Sequence, residues 1–443
     1  MPIGGGVFSA QNKVLPGAYI NFVGTRQGAN MGARGTAAMP VALDWGPEGE
    51  IIKLEAASFA RTAQKLLGYG ANAPQLLRVR ECLKRAMTVL VYRVNPGGEA
   101  ATVTVGGIKA TAKYSGTRGN ALAVEVATTP TATHIVTTYI DQQQVDAQEV
   151  SAVSQLAPND YVTFAGEGEI TAAGPTNLTG GTNGTENGEA HTAFLDKIAV
   201  ESFAALGYFG DDAETKTMYT AFTQRLRDAE GKKIVCIMST ASSGQNLDSE
   251  GIIAVDNGVI LEDGTVADKH DAAAWVLGAT AAAQVNESLT NVVYDGAVDV
   301  DEKRTPTQYE EGIKAGRFMF YSDGGQARVV SDINTLHTYT VDKPEDFSSN
   351  RVIRVLDGWA NDVARIFGQS YIGQMTNSAT SRELFRADLV SLGTQYQSIA
   401  AISDFNSDEI EVSQGTGKRD VVVTCALKPN DSMEKLYMTV TVS

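Results

Sequence analysis

The chain has 443 residues, 43% hydrophobic and 20% charged, enough apolar material for about three packed domains. Its formal charge of −16, from 36 basic and 52 acidic side chains, makes nucleic acid and anionic membrane poor partners. Cys82, Cys236 and Cys425 are too few and too scattered for a disulfide framework or a zinc site, and they fit maturation in a reducing compartment.

The opening "MPIGGGVFSAQNKVLPG" lacks the basic region and apolar core of a signal peptide, and no apolar run reaches the length of a bilayer span. A soluble protein made in the cytoplasm is expected. Before Asp44 the charged side chains are Lys13, Arg26 and Arg34, so a basic tail precedes an acidic body. "GAYINFV" (17–23) and part of "GTAAMPVALDWGP" (35–47) are predicted strands. "SFARTAQKLLG" is a helix between Ser58 and Gly68, "PQLLRVRECLKRAM" a second, and "TVLVYRV" (88–94) a buried strand. Helix and strand alternating in this way indicate an α/β layer.

From 100 to about 172 the texture changes to short Thr- and Val-rich alternating runs, which predict an antiparallel β-domain followed by a flexible exit, "GPTNLTGGTNGTENGEA". The α/β rhythm then resumes. "HTAFLDKIAV", "AETKTMYTAFTQRLRDAEG" and "DKHDAAAWVLGATAAA" are helices, the last small and apolar on most sides and so buried; "SFAALGYF", "KKIVCIMST" and "GIIAVDNGVIL" are strands. The β-domain is thus an insertion in one layer. A hairpin around Asp323-Gly324-Gly325 follows, then a long amphipathic helix with Val352, Leu356, Trp359, Val363 and Ile366 on one stripe. A second helix and the strands "EIEVSQ" and "DVVVTCAL" complete an α+β unit. The chain ends on "EKLYMTVTVS", whose period of two predicts a strand running to the last residue with no partner in view.

Motifs that would carry chemistry fail one by one. "SQGTGKRD" misses the phosphate-loop spacing, since Val412 stands where the first glycine belongs and Arg419 where the hydroxyl does. "DVDEKR" puts Lys303 and Arg304 where a calcium loop needs a ligand and a glycine. His134, His191, His270 and His337 form no spaced ligand pair, and no G-x-S-x-G elbow exists. No catalytic, metal or cofactor residue is assigned and no cofactor is expected. The competing function classes are an α/β hydrolase or protease with an appended β-domain, and a surface-layer or adhesin protein.

Several stretches together resemble the contractile phage tail sheath family, which includes sheaths of tail-like bacteriocins and other contractile injection systems. They are "LPGAYINF", "AAAWVLGATAAAQVNESLTN", "GRFMFYSDGGQARVVSDINTLHTYT", "FSSNRVIRVLDGWANDVARIF", "IGQMTNSATSRELF" and "EKLYMTVTVS". As an ordered set they cover nearly the whole chain.

The resemblance implies a non-enzymatic structural subunit with a mixed α/β and α+β multidomain fold and a subtilisin-like, non-catalytic core. The division it implies is an N-terminal arm at 1–24, core at 25–96 and 186–340, an outer β-domain at 97–185, a C-terminal domain at 341–432 and a C-terminal arm at 433–443. It further implies stacked hexameric rings around an inner tube, contraction that drives the tube through a bacterial envelope, and baseplate and tail terminator proteins as partners. Nucleic acid and membrane insertion are not expected. The particle would be a phage tail or a tail-like one assembled in the bacterial cytoplasm. In such sheaths both arms add strands to neighbouring subunits. Here Lys13, Val14, Leu15, Pro16 and Tyr19 would belong to one arm and Leu436, Tyr437, Met438, Thr439, Val440 and Val442 to the other.

Overall fold

Alternation of strand and helix on both sides of the Thr-rich segment builds a single sheet from two distant stretches of chain. The computed structural model describes residues 31–32, 34–240 and 247–442, together with the backbone of Gly4–Gly6 and Gly17–Tyr19. The sheet has seven strands: β1 (Thr36–Val41), β2 (Ile51–Glu55), β3 (Thr88–Arg93), β4 (Ala205–Tyr208), β5 (Val235–Ser239), β6 (Ile252–Val255) and β7 (Arg317–Phe318). Their order is β7-β6-β5-β4-β1-β3-β2, with every pairing parallel except that of β2 with β3.

Because successive side chains point to opposite faces, the sheet feeds two cores. Helices α1 (Phe59–Leu67), α2 (Leu77–Leu83) and α5 (Lys269–Ala282) cover Met39, Val89, Ile237 and Ile253 on one face. Helices α3 (Gly188–Ile198) and α4 (Ala213–Gln224) cover Ala38, Leu90, Leu206 and Met238 on the other. Beyond its polar first turn α5 is apolar on most sides and is buried along most of its length, as that composition requires. It crosses α2 at Gly278, where a Cβ would stand 2.1 Å from the Cys82 carbonyl oxygen; only glycine permits that approach.

The inserted β-domain is a sandwich. One sheet contains Gln143–Val150, His134–Ile140, Leu122–Thr128 and Ala173–Asn177, and the other Val162–Ala165, Ile108–Ala112 and Thr102–Val105. The exit segment is not the loose linker its Gly, Thr and Asn content predicts. Ala173–Asn177 pairs with Leu122–Thr128, Leu178 is fully buried, and Thr179, Thr182 and Asn183 hydrogen-bond back to Thr102, Glu99 and Thr117. Backbone groups that the composition leaves for water find partners inside the domain instead.

The sandwich is fastened to the core. Trp45, from the loop after β1, packs in the sandwich interior with its ring edge-on to Tyr114 at 5.3 Å. Arg118 donates to the Gly68 carbonyl at 2.7 Å, lies over the Tyr69 ring at 4.3 Å and grips both Asp141 oxygens at 2.8 and 2.5 Å. Arg118 holds the Asp141 carboxyl below its ordinary range. A carboxyl with a depressed folded-state pKa adds stability that is present above its unfolded value of about 4 and is lost as pH falls through the folded value. Acidification below about pH 4 is therefore expected to loosen the sandwich before the core. Asp141→Asn should weaken the docking at neutral pH and flatten this pH dependence. Hydrogen exchange of 100–180 against that of the β1–β7 sheet reads both effects.

Helix α6 (Pro306–Lys314) precedes β7, and the C-terminal unit packs α7 (Asn350–Ser370) against α8 (Ala379–Ser398) and a two-stranded hairpin, β8 (Ile410–Gln414) with β9 (Val421–Cys425). Its core holds Val355, Ile366, Phe385, Leu389, Leu392 and Tyr396. "GIIAVDNGVIL" is two strands rather than one: β6 ends at Val255, and Val259–Leu261 joins a separate three-stranded sheet beyond the buried Asn257. The Asn257 side chain exchanges two hydrogen bonds with the Phe320 backbone, which fixes the break.

Candidate functional site

The terminal segment poses the clearest structural question. Leu436, Tyr437, Met438, Val440 and Val442 are between 69% and 90% exposed, and residues 433–442 form no strand with any other described residue. Four alternate apolar side chains in water are costly, at roughly 1.5–3 kcal/mol each relative to burial. The tail is nonetheless tied at its root. Glu434 accepts hydrogen bonds from Thr290 Oγ1 at 2.7 Å and Ser331 Oγ at 3.4 Å, both in the core domain, and from Ser432 at 3.0 Å. The predicted strand thus leaves the body from a fixed point and meets no partner on its own subunit among the described residues.

The other arm's predicted residues Lys13, Val14, Leu15 and Pro16 lie outside the described residues. Tyr19 closes the short strand Gly17–Tyr19, whose backbone pairs in parallel with Gly4–Gly6. The root of this arm is held as well. Gly32 donates its backbone N–H to Asp362 Oδ1 at 2.7 Å, and Gly35 is bonded to Ala281 and Met87.

Both roots converge on the seam between the core and α7, which sequence reasoning missed. Arg227 grips both oxygens of Asp357 at 2.6 and 3.0 Å and donates to the Ile234 carbonyl. Arg354 pairs with Asp332 at 3.3 Å, and Asp332 also accepts from Asn350 and from the Leu289 N–H. The Asn361 side-chain amide accepts from the Lys233 N–H and donates to the Lys233 carbonyl, and Asp362 accepts from Tyr396 and Arg365 besides Gly32. Burial in this seam pushes the Arg34 guanidinium down to about 10. Thr290 Oγ1 accepts from the Asp332 N–H while donating to Glu434, so the C-terminal tail is hung on the same network.

The seam was hidden by its own chemistry. Arg354, Asp357 and Asp362 fall off the apolar stripe of α7, and charged residues at such positions ordinarily face water. Here they face the core domain. The signal that could have found them is their number: a helix meant for solvent on one side seldom places complementary charges opposite a second charged segment such as "RLRD" (225–228).

Enzyme-like geometry does not assemble. His191 bonds Tyr219 and Glu186, His270 contacts Asp211, His337 bonds the Thr335 carbonyl, and His134 bonds Thr128. Among the described residues no histidine is bonded to a serine hydroxyl, and no group of three or more His, Cys, Asp or Glu side chains is placed to hold a metal ion.

Four family models match in succession. They are the tail sheath protein Gp18 domain III N-terminal region at 34–94, the phage tail sheath β-sandwich domain at 96–183, the phage tail sheath central domain at 184–335 and the phage tail sheath C-terminal domain at 342–443. The phage-like element PBSX protein XkdK of Bacillus subtilis (strain 168) is 34% identical, over 99% of this chain and 100% of the relative. The crystal structure of a sheath tail protein from Desulfitobacterium hafniense is 39% identical, with a TM-score of 0.86 over 95% of this chain and 99% of that one. The helical sheath of the anti-feeding prophage, in its contracted state, shares the fold at 12% identity, with a TM-score of 0.58 over 97% of this chain and 99% of that one. A sandwich set into an α/β layer, a helical C-terminal unit and matches running from residue 34 to the last lead to one conclusion: the chain belongs to the contractile phage tail sheath family.

Proposed function

We propose that this protein is the repeating subunit of a contractile sheath, stacked as hexameric rings around an inner tube and joined to its neighbours by donated strands. The observation that carries this reading is the exposed, alternating tail beyond Glu434, which finds no strand partner among the described residues. The β8–β9 hairpin would be the acceptor: among the described residues it has two strands, and Val422 and Val423 of β9 are exposed. Strand addition at such an edge supplies main-chain hydrogen bonds, and the alternating side chains fix the register.

In this reading the N-terminal residues Lys13 to Tyr19 form the second arm. The division into arms, core, outer domain and C-terminal domain follows the boundaries expected from sequence. The core is a subtilisin-like layer used as a scaffold, and the relatives lend the hydrolase alternative no support. Contraction exchanges body contacts while the arms stay engaged. It uses energy stored at assembly, so neither nucleotide nor cofactor enters. Tube, baseplate and terminator proteins are the partners, and nucleic acid and membrane are not. Assembly takes place in the bacterial cytoplasm, and the product is a phage tail or tail-like particle.

The test is electron microscopy and sedimentation of the full chain and of a variant ending at Lys435, which keeps the Glu434 tie, each with purified tube and baseplate. The full chain is expected to form tubes, and the truncated one to stay a folded monomer with an unchanged melting temperature. Tubes from the truncated chain would end the strand-donation reading.

A further inference from the structure

A second complementary pair of surfaces lies at opposite ends of α7. At its C-terminal end a groove of about 420 Å³ opens between the α7–α8 loop and the β8–β9 turn. Its floor is aromatic: Phe367, Tyr371 and Phe385 pack with ring centres 4.7–6.1 Å apart. Its rim carries Arg382, Lys418 and Arg419. Lys418 and Arg419 are exposed and make no ion pair among the described residues, in a chain whose net charge is −16. The neighbouring Asp420, also exposed, accepts the Gly417 N–H within the turn. The wall is built in advance, since Asn377 donates to the Lys418 and Asp420 carbonyls and accepts from Arg382. This is the "GTGKRD" turn that fails as a phosphate loop.

At the N-terminal end of α7 stands the opposite shape. Residues 340–343 form a turn closed by the Thr340 N–H on the Lys343 carbonyl and the Lys343 N–H on Thr340 Oγ1. Val341, at the tip, is 98% exposed, and Tyr339 beside it is also exposed. The exposed Asp342, Glu345 and Asp346 follow it in the chain and make no ion pair among the described residues, whereas Lys343 is held by Glu250 at 2.8 Å. The turn is an apolar knob with acidic residues beside it.

We infer that the Val341 turn of one subunit docks in the Phe367–Tyr371–Phe385 groove of a second copy, with Asp342, Glu345 and Asp346 facing Arg382, Lys418 and Arg419. The occupant is a second copy because the turn cannot reach its own groove: α7 has 21 residues, which sets the two about 30 Å apart. Two different patches on one chain make a head-to-tail contact, which repeats indefinitely along a helix or closes into a ring. Both partners are pre-shaped, so little ordering entropy opposes docking. The contact rests on the sheath reading but uses no arm residue.

Charge exchange tests it. Lys418→Glu with Arg419→Glu is expected to leave the melting temperature unchanged and to raise the concentration needed for polymerisation at least tenfold. Asp342→Lys, Glu345→Lys and Asp346→Lys together should do the same. Mixed on one chain, the two sets should restore assembly to near the wild-type concentration. Weak self-association of the isolated full chain, followed by sedimentation, should show the same pattern without tube or baseplate. Wild-type assembly by either reversed variant would overturn the docking, as would a combined variant no better than its parents. Loss of assembly on removing the tail with these variants unaffected would uphold the arms and reject this contact. A wild-type chain that never polymerises would reject the sheath reading instead.

Discussion

Arg227→Met is expected to destabilise the subunit by about 3–5 kcal/mol, the effect of leaving one partner of a buried ion pair without the other. Arg227 is 6% exposed and Asp357 8%, and their double hydrogen bond crosses from the end of α4 to α7. Removing the guanidinium strands Asp357 near Arg34 and Lys233, whose attraction compensates only in part. Burial already pushes the Asp357 carboxyl up, and without Arg227 it should rise further. The sign then follows. A carboxyl whose folded pKa exceeds its unfolded value of about 4 binds more protons in the native state, so the variant gains stability as pH falls from 7 towards 5. Wild type should show much less of this gain.

The double variant Arg227→Met with Asp357→Asn should recover most of the loss, because no charge is then left unpaired. Urea unfolding of the four proteins at pH 7 and pH 5 measures each quantity. An Arg227→Met protein within about 1 kcal/mol of wild type at pH 7 would mean that the seam is held by packing alone. The seam also anchors both ends of the described chain: Gly32 is tied to Asp362 of α7, and Glu434 to Thr290, which in turn accepts from the Asp332 N–H, so loosening the seam is expected to loosen both segments.

Elements with strong periodicity were legible in the sequence. The mostly apolar α5, the hairpin at Asp323-Gly324-Gly325 and the Trp359–Val363–Ile366 part of the α7 stripe stand where their patterns put them, because burial of one face is a local demand; in the first half of α7 it is Val355, off the predicted stripe, that enters this core. The second, charged face of α7 was not legible, since its partners come from residues 34, 227 and 332, and only the fold brings them near. The exit from the sandwich was misjudged for the same reason. Its Gly, Thr and Asn residues read as a linker, but Asn120 and Thr102 supply hydrogen bonds that composition cannot show. The terminal strand is the reverse case. Its pattern was plain, and what could not be read was that no sheet among the described residues takes it up.

That strand also carries the largest expected effect on assembly. Met438→Asp with Val440→Asp should abolish polymerisation, while Thr439→Asp with Thr441→Asp on the opposite face should leave most of it. Neither pair should change the melting temperature, because Met438 and Val440 are 74% and 69% exposed in the isolated subunit. The asymmetry comes from the period of two. One face of a docked strand is buried, and losing a Met and a Val there forfeits roughly 1.5–3 kcal/mol each. That is about 10²–10⁴ in association constant per contact, before the further cost of burying a carboxylate. In a lattice the loss recurs at every subunit, so a polymer near its critical concentration disappears. Critical concentrations measured by sedimentation on the tube separate the cases. Equal loss from both pairs would place the arm between two packed layers, buried on both faces. No loss from either would show that the tail does not enter a sheet, and the joints between subunits would then have to lie in the body, where the Val341 turn and its groove are the first surfaces to examine.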